Sequence, residues 1–434
     1  MNLEKEDMYQ IDGPLDMTVF FGFCGIKGYN HLRYPEAHPH SPWSILELKR
    51  TPETNIFDMI REKDLLIHLP YESFDESVVN FLYSAANDKD VLAIKQTLYR
   101  VSSSSPVVQA LEKAVQNGKQ VTVLMEVKAR FDEANNILMA RRLEKAGAHV
   151  IYGLVGLKTH SKCTLVIRRE KDGIRRYVHV ATGNYNASTA KLYTDLGILT
   201  CNDRFGIDAS AFFNLLSGYS DPPIWDSFIV APINLRQRCI ELIDREIHFA
   251  KNGEDAHMIA KMNSLLDKGI IEKLYEASQA GVKIELIVRG ICVLIPGIPG
   301  VSDNITVRSI VGRFLEHSRI FWFRNGGREE LYISSADWMP RNLNDRVELM
   351  VPIEDPEIKR RLKQMVDIEL SDNQKAHIMQ ADGTWLKTIS AENQLCAQEY
   401  FQKIAEKRDA EDEMTLAQKL EPYTPVLGHG DGSD

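Results

Sequence analysis

Runs of apolar residues alternate with amphipathic stretches from about residue 50 onward. Residues 91–100 open with the apolar run typical of a buried strand. A capping Ser105 followed by Pro106 then predicts the start of a helix, and Gly118 predicts its end. A second strand is predicted at 120–127. The order strand, helix, strand is typical of a sheet with parallel strands that is covered by helices.

The same pattern continues and then returns later in the chain. A helix is predicted at 133–146, where Gly147 would close it. Three more strands are predicted at 149–153, 163–169 and 176–181. Further on, a helix at 269–280 ends before Gly281, and an alternating strand follows at 282–289. This repetition predicts an α/β fold of two tandem domains, each a mainly parallel sheet flanked by helices.

Changes in composition divide the chain into four parts. The predicted parts are 1–49, 50–226, 227–372 and 373–434. The first part contains short apolar runs and a passage rich in proline and histidine, so we expect the remnant of a preceding domain or a strap. The sequence Asp-Pro-Pro-Ile-Trp at 221–225 marks the boundary between the two central domains. The last part is expected to be a C-terminal helical extension, with a helix at 392–408, and a tail.

Two histidines with a basic residue two positions further on occupy corresponding places in the two domains. They are His160, followed by Lys162, and His317, followed by Arg319. In an extended segment these pairs of side chains point to the same face, so each imidazole and its cation would meet the same ligand. An imidazole beside a fixed positive charge suits attack on an anionic phosphoryl group. A lone histidine is more often structural, but the repeated context predicts one active site between the domains.

Three arginines follow predicted strands. Arg100 and Arg130 do so in the first domain, and Arg289 does so in the second. Ligands of parallel α/β sheets bind at the carboxyl ends of the strands, and guanidinium groups bind phosphate in a bidentate manner. We therefore expect these arginines in the same site, with a surface ion pair as the alternative for each. His179 has no basic residue two positions on and is expected to be packed or to support the site.

The overall composition restricts the possible partners and compartments. The net charge is −9, so a site for a polyanion must be a local cationic pocket, and no nucleic-acid partner is expected. The six cysteines include no Cys-x-x-Cys pair, which fits a reducing compartment. No apolar run reaches about 18 residues, and the N-terminus is polar. We therefore expect a cytoplasmic protein without a transmembrane segment.

Five short motifs resemble the polyphosphate kinase family. They are LAIKQTLYR (92–100), KARFDE (128–133), GLKTH (156–160), ATGN (181–184) and LEH (315–317). The similarity runs from about residue 10 to 372, and it is to the bacterial-type enzyme, whose catalytic half has two phospholipase-D-like domains. The resemblance implies reversible transfer of the γ-phosphate of ATP to inorganic polyphosphate through a phosphohistidine.

The resemblance also implies roles for individual residues. His160 would be the nucleophile that becomes phosphorylated, and His317 would contact the phosphates and exchange a proton with the leaving or attacking oxygen. Tyr193 and Arg289 would bind the phosphates of the nucleotide. ATP, ADP and polyphosphate are the implied substrates, and Lys162 and Arg319 would bind their phosphate groups.

Magnesium is the implied cofactor. Arg100 and Arg130 would lie at a magnesium–phosphate site, where we expect them to contact phosphate because guanidinium has no lone pair for a metal. Members of the family form homo-oligomers and have two further domains ahead of this region, one that helps to hold adenine and one that contributes to dimerisation. Residues 1–49 would be the tail of the second of these, so the oligomerising domain is expected to be absent.

Two alternatives to the kinase function remain open at this point. Phospholipase D enzymes carry an aspartate further along the histidine motif, but Ile167 and Arg324 occupy that position in this chain. The second motif also has Arg319 in place of lysine. These departures weigh against a phosphodiesterase. A non-catalytic fragment that binds polyphosphate is the other alternative.

Overall fold

A computed structural model describes most of the chain. The described residues are 4–13, 15–50, 54–102, 104–127, 129, 132–218 and 224–419. They form two compact units, Met1–His38 and Pro39–Asp434. The first unit contains short 3₁₀ helices at Lys5–Asp7, Met17–Gly25 and Asn30–Leu32, and nearly all of its described residues are exposed.

The predicted boundary falls after residue 49, whereas the two compact units divide after His38. His40 already belongs to the second unit, because its backbone N–H donates to Tyr71 (2.8 Å) and its carbonyl accepts from Ser73 (2.8 Å). The first helix of the second unit therefore begins inside the segment that the sequence assigned to a remnant or strap.

The first α/β domain is built around a mixed sheet. In chain order its elements are α1 (Trp43–Arg50), α2 (Ile56–Glu62), β1 (Leu65–Leu69), α3 (Asn80–Asn87), β2 (Val91–Leu98), α4 (Pro106–Gln116), β3 (Gln120–Met125), α5 (Glu133–Ala146), β4 (His149–Tyr152), β5 (Lys158–Thr159), β6 (Cys163–Glu170), β7 (Gly173–Ala181), β8 (Tyr193–Thr200) and α6 (Asp203–Leu216). The strand order is β1-β8-β7-β6-β2-β3-β4. A π-helical turn at Asp75–Val79 leads into α3, and a 3₁₀ turn at Thr189–Lys191 leads into β8.

The second α/β domain repeats this plan with additional strands. In chain order its elements are β9 (Ile229–Ala231), α7 (Leu235–Lys251), β10 (His257–Met262), α8 (Lys268–Gln279), β11 (Lys283–Val288), β12 (Ile305–Ile310), β13 (Leu315–Glu316), β14 (Ile320–Phe323), β15 (Glu330–Ser334), α9 (Pro340–Asn344), β16 (Arg346–Pro352), α10 (Pro356–Leu370), β17 (Ala376–Met379), β18 (Trp385–Lys387) and α11 (Ala397–Lys419). The strand order is β18-β17-β12-β11-β10-β14-β15-β16-β5, and β9 pairs with β16. A 3₁₀ turn at Asn325–Gly327 lies between β14 and β15.

The prediction of two α/β domains is confirmed, but both sheets are mixed rather than mainly parallel. Strands β2, β3 and β4 are parallel, as are β10, β11 and β12. The strands that follow in each domain, such as β6 with β7 and β14 with β15, pair in antiparallel fashion. Parallel neighbours need a long crossover, whereas antiparallel neighbours need only a short turn. Short connections thus replace helical crossovers in the second half of each domain.

Local sequence signals located most of the helices and strands well. Helix α5 spans the predicted 133–146, and Gly147 after it has φ 104°, the left-handed conformation that glycine adopts without strain. Helix α8 likewise ends shortly before Gly281, whose φ is 97°. None of the helices in the described part of the chain combines the length and apolar character needed to cross a bilayer.

Each domain has its own hydrophobic core. In the first domain, Val107, Val108 and Leu111 on one face of α4 are fully buried. In the second domain, Ile270 and Leu274 of α8 are fully buried in a separate cluster of apolar side chains. Fully burying a side chain of this size contributes about 1.5–3 kcal/mol. The two cores hold the strand ends that carry the site in fixed positions.

Two strands of the second sheet follow the predicted domain boundary after residue 372. Strand β17 pairs with β12, with Ile378 opposite Arg308, and β18 extends the same sheet. Residues up to at least 387 are therefore part of the second domain. The helix expected at 392–408 begins at Ala397. Residues 221–223 of the predicted boundary between the domains lie outside the described residues.

Candidate active site

Two short strands connect the domains where the histidines lie. Strand β5 of the first domain pairs in parallel with β16 of the second, and β13 of the second pairs in parallel with β8 of the first. The residue after β5 is His160, and it contacts Glu348 of β16. The residue after β13 is His317, and it contacts Asp195 of β8. Each domain thus supplies one histidine and the carboxylate for the other domain's histidine.

The His160 ring is oriented by a buried carboxylate. Its Nδ1 lies 2.8 Å from Oε2 of Glu348, which is completely buried. Ser335 Oγ donates to the same oxygen (2.5 Å), and Asn342 Nδ2 donates to Oε1 (2.6 Å). With a carboxylate as acceptor, this hydrogen-bond network assigns the ring proton to Nδ1 and the lone pair to Nε2. Nε2 is therefore the nitrogen that can act as a nucleophile.

Lys162 supplies a buried cation beside this ring. Its Nζ lies 3.1 Å from both ring nitrogens of His160 and donates to the carbonyl oxygen of the same residue. Burial lowers the pKa of Lys162 to about 7. Burial, followed by the charges of Lys162 and Arg346, also holds the pKa of His160 well below its usual value. A neutral imidazole is the form that can attack phosphorus.

His317 has a matching environment in the second half of the site. Its Nδ1 lies 2.8 and 2.9 Å from the two carboxylate oxygens of Asp195. Nη1 of Arg319 lies 3.3 and 3.2 Å from the ring nitrogens and donates to the carbonyl oxygen of His317 (2.6 Å). Burial alone would raise the pKa of Asp195, but the charge and hydrogen bond of His317, with Arg319, lower it. Arg319 therefore stands in the place that Lys162 has in the first half.

Tyr193 and Arg289 lie on the His317 side of the site. The ring centroids of Tyr193 and His317 are 5.2 Å apart. Arg289 donates from Nη2 (2.6 Å) and Nε (3.0 Å) to the side-chain oxygen of Asn263. Burial lowers the pKa of Arg289, and the nearby Arg319 adds to this effect. The structure thus brings both residues into the neighbourhood of the second histidine.

Arg100 lies on the His160 side. Its Nε is 3.1 Å from Oδ2 of Asp132, and its guanidinium carbon is 5.9 Å from the centroid of the Tyr99 ring. The Tyr99 ring packs edge-on against His160 with centroids 4.8 Å apart. The ion pair that was the alternative for Arg100 is present, and Arg100 also lies beside Tyr99, which packs against His160. Arg130 lies outside the described residues.

His179 lies on β7 of the first sheet and is buried. Its Nδ1 lies 2.8 Å from the hydroxyl of Tyr185, and burial lowers the pKa of His179 to about 3. A Cβ added at Gly197 would lie 2.6 Å from its Nε2, so the ring fills the space that glycine leaves. This agrees with the expectation that His179 is packed.

Sequence reasoning missed the carboxylates and one further cation. Asp195 and Glu348 are each the third residue of an otherwise largely apolar strand, in the segments Tyr-Thr-Asp-Leu and Arg-Val-Glu-Leu. An acidic side chain at a buried strand position, repeated in both domains, was a signal that could have identified them. Arg346, the first residue of the second segment, lowers the pKa of His160 and had no motif to mark it.

The described residues show how magnesium could be accommodated. Among them, no group of three or more His, Cys, Asp or Glu side chains could hold a metal ion. The carboxylate of Asp132 is paired with Arg100. Mg²⁺ keeps several waters and commonly binds through one or two carboxylates together with phosphate oxygens. The residues therefore fit an ion that is carried by substrate phosphates better than one held by the protein alone.

Comparison with known proteins identifies relatives of both domains. Residues 55–222 match the model for polyphosphate kinase C-terminal domain 1, and residues 228–398 match that for C-terminal domain 2. The polyphosphate kinase of Halalkalibacterium halodurans is 56% identical over 378 residues, which are 87% of this chain and 53% of that protein. That of a Synechocystis species is 50% identical over 427 residues, 94% of this chain and 58% of that protein.

A solved structure supports the same relationship. The crystal structure of polyphosphate kinase from Porphyromonas gingivalis matches with a TM-score of 0.80 and 38% identity, covering 87% of this chain and 57% of that one. The chain thus spans a little over half the length of the polyphosphate kinases that it resembles.

Proposed function

This chain belongs to the polyphosphate kinase family, and we propose that it transfers the γ-phosphate of ATP reversibly to inorganic polyphosphate through a phosphohistidine at His160. The observation that carries the proposal is the duplicated site, in which each histidine has a carboxylate at Nδ1 and a buried cation beside the ring. The matched kinases are much longer than this chain. The proposal therefore rests only on residues that this chain contains.

The first half of the reaction uses His160 as the nucleophile. Its Nε2 attacks the γ-phosphorus, an N–P bond forms, and the bond to the bridging oxygen of ADP breaks. Glu348 keeps the proton on Nδ1 and stabilises the positive charge that the ring gains. In the second half, a terminal oxygen of polyphosphate attacks the same phosphorus, and the N–P bond breaks to return the neutral ring. Lys162 and Arg319 stabilise the charge on the transferring oxygens.

The remaining residues would bind and position phosphate groups. We propose that His317, oriented by Asp195, contacts the phosphates and exchanges a proton with the leaving or attacking oxygen. Tyr193 and Arg289 would hold the nucleotide phosphates on the same side of the site. Magnesium, bound to substrate phosphates, would supply charge neutralisation, and Arg100 and Arg130 would contact those phosphates.

Labelling with γ-³²P-ATP and magnesium tests the proposal directly. We expect acid-labile, base-stable label on His160, and no label in a folded His160→Ala variant. Label should also appear from radioactive polyphosphate, because the reaction is reversible. A folded wild-type chain that binds polyphosphate but takes no label from either donor would instead be a binding fragment. Hydrolysis of a model phosphodiester without phosphoryl transfer would identify a phosphodiesterase.

A further inference from the structure

The first turn of α11 contacts the segment that leads to His317. Gln398 is buried, with 3% of its surface exposed. Its Oε1 accepts the backbone N–H of Phe314 (2.9 Å), and its Nε2 donates to the carbonyl oxygen of the same residue (2.9 Å). Nε2 also donates to Oε1 of Glu316 (2.6 Å). The side-chain amide of Gln398 thus hydrogen-bonds to both the backbone N–H and the backbone carbonyl of Phe314, as a neighbouring strand would.

Gln398 packs closely against this segment. A Cβ added at Gly312 would lie 2.4 Å from Oε1 of Gln398, so the backbone there rests directly on the amide. Asp372 holds the start of the helix, because its Oδ2 accepts the backbone N–H of Ala397 (2.8 Å). Its Oδ1 accepts backbone N–H groups from the turn before β17, including that of Lys375 (2.7 Å). Gln398 is therefore fixed to the second sheet.

Glu316 connects this contact to the active site. Its Oε2 accepts from Nζ of Lys261 (2.6 Å) and from Oγ1 of Thr194 (2.8 Å), and all three residues are buried. Oγ1 of Thr194 in turn accepts the backbone N–H of His317 (3.2 Å). Thr194 lies between Tyr193 and the Asp195 that orients His317. A shift of the Glu316 carboxylate would therefore move the histidine and its partners together.

We propose that Gln398 is a positioning residue for His317, acting through Glu316 and the backbone of residues 312–314. This deepens the proposed function and rests on it. Without the amide, Oε1 of Glu316 loses a donor in a buried environment, and the segment before His317 loses both of its backbone bonds to the side chain. A misplacement of about 1 Å can lower a rate about 100-fold. The helix that the sequence assigned to a C-terminal extension is on this view part of the catalytic apparatus.

Gln398→Met tests the proposal, because methionine has a similar length and cannot form these hydrogen bonds. The matched control is Gln402→Met, one turn further along α11, where the glutamine contacts His40 and Glu406 instead. We expect Gln398→Met to lower kcat at least about tenfold while the KM for ATP changes much less. Gln402→Met should retain the wild-type kcat. Equal effects of the two variants, or a wild-type kcat in Gln398→Met, would overturn the proposal.

A second readout does not depend on phosphoryl transfer. The NMR titration of the His317 ring, assigned by its loss in His317→Ala, reports the surroundings of that ring in the full chain. Burial lowers the pKa of His317 and the contact with Asp195 raises it, so a displaced ring in Gln398→Met should titrate at a different pH from the wild-type ring. An unchanged titration would refute the role of Gln398. Because this measurement needs no activity, it still decides the question if the wild-type chain transfers no phosphate.

Gln398→Glu keeps the test decisive if the methionine variant does not fold. The new carboxyl group can accept from Phe314, but it can donate to Glu316 only while the two share a proton. We expect its kcat to approach wild type at low pH and to fall as the pH rises and the proton is lost. A pH profile of kcat that matches wild type would contradict the proposed contact with Glu316.

Discussion

Replacing Glu348 by glutamine tests the contribution of the negative charge that faces His160, the proposed nucleophile. Glutamine can keep its amide oxygen toward Nδ1 of His160, where the carboxylate oxygen now lies at 2.8 Å. Its NH₂ group would then face Asn342, whose Oδ1 is buried and has no hydrogen-bond partner. A flip of the Asn342 amide would present that oxygen as the acceptor. The variant should therefore preserve the shape of the site and remove only the negative charge.

The expected size of the effect follows from the lost charge. A hydrogen bond to a charged group contributes about 1.5–3 kcal/mol, against about 1 kcal/mol for a neutral one. Glutamine keeps the neutral hydrogen bond, so the loss in the transition state, where the imidazole gains positive charge, is the difference of about 0.5–2 kcal/mol. Since about 1.4 kcal/mol corresponds to a factor of ten in rate, phosphorylation of His160 should slow by about 2- to 30-fold. Burial raises the pKa of Glu348, so the charge itself does not stabilise the fold, and the Tm should change little.

The assay is a single-turnover measurement of label on His160 in a rapid-quench instrument. The control is Asp208→Asn, which removes another buried carboxylate, one that accepts the backbone N–H groups of Ser227 and Phe228. This control is expected to lower the Tm and leave the labelling rate intact. A wild-type labelling rate in a folded Glu348→Gln variant would refute the reasoning, because the transition state would then not be stabilised by that charge.

Two further predictions concern the cations of the site. Burial lowers the pKa of Lys162 to about 7, so the ammonium loses its proton as the pH rises through 7, and kcat/KM for labelling should decline over the same range. Lys162→Arg should move that decline to higher pH, and a pH profile identical to wild type would exclude Lys162 as its source. Arg289→Ala should raise the ATP concentration needed for labelling several-fold and change the Tm much less; a large loss of Tm with an unchanged ATP requirement would indicate a structural ion pair instead.

Features that depend on neighbouring residues could be predicted from the sequence. Helix α5 and its terminal Gly147 follow from an apolar stripe and a glycine, both of which are local signals. The histidine motifs were identified because each pairs an imidazole with a cation only two residues away, and because the pattern occurs twice. The same local reasoning placed Arg100 and Arg289 at the ends of strands.

Features that depend on distant pairing could not be predicted in this way. Glu348 reaches His160 only because β5 pairs with β16, across 188 positions of the chain. The contact between Asp195 and His317 depends in the same manner on β13 and β8. The assignment of β17 to the second sheet and the contacts of Gln398 also arise from tertiary packing, for which periodicity and composition carry no signal.

Each domain supplies the carboxylate that contacts the other domain's histidine, and this reciprocal arrangement has a consequence for symmetry. Two identical subunits related by a two-fold axis could build the same arrangement, with two equivalent histidines. In a single chain the two halves are free to differ, and they do: lysine stands beside one histidine and arginine beside the other, and glutamate faces one and aspartate the other. Because the two halves are joined in one chain, the two histidines can have different neighbours and different roles. Two identical subunits would give both histidines the same neighbours.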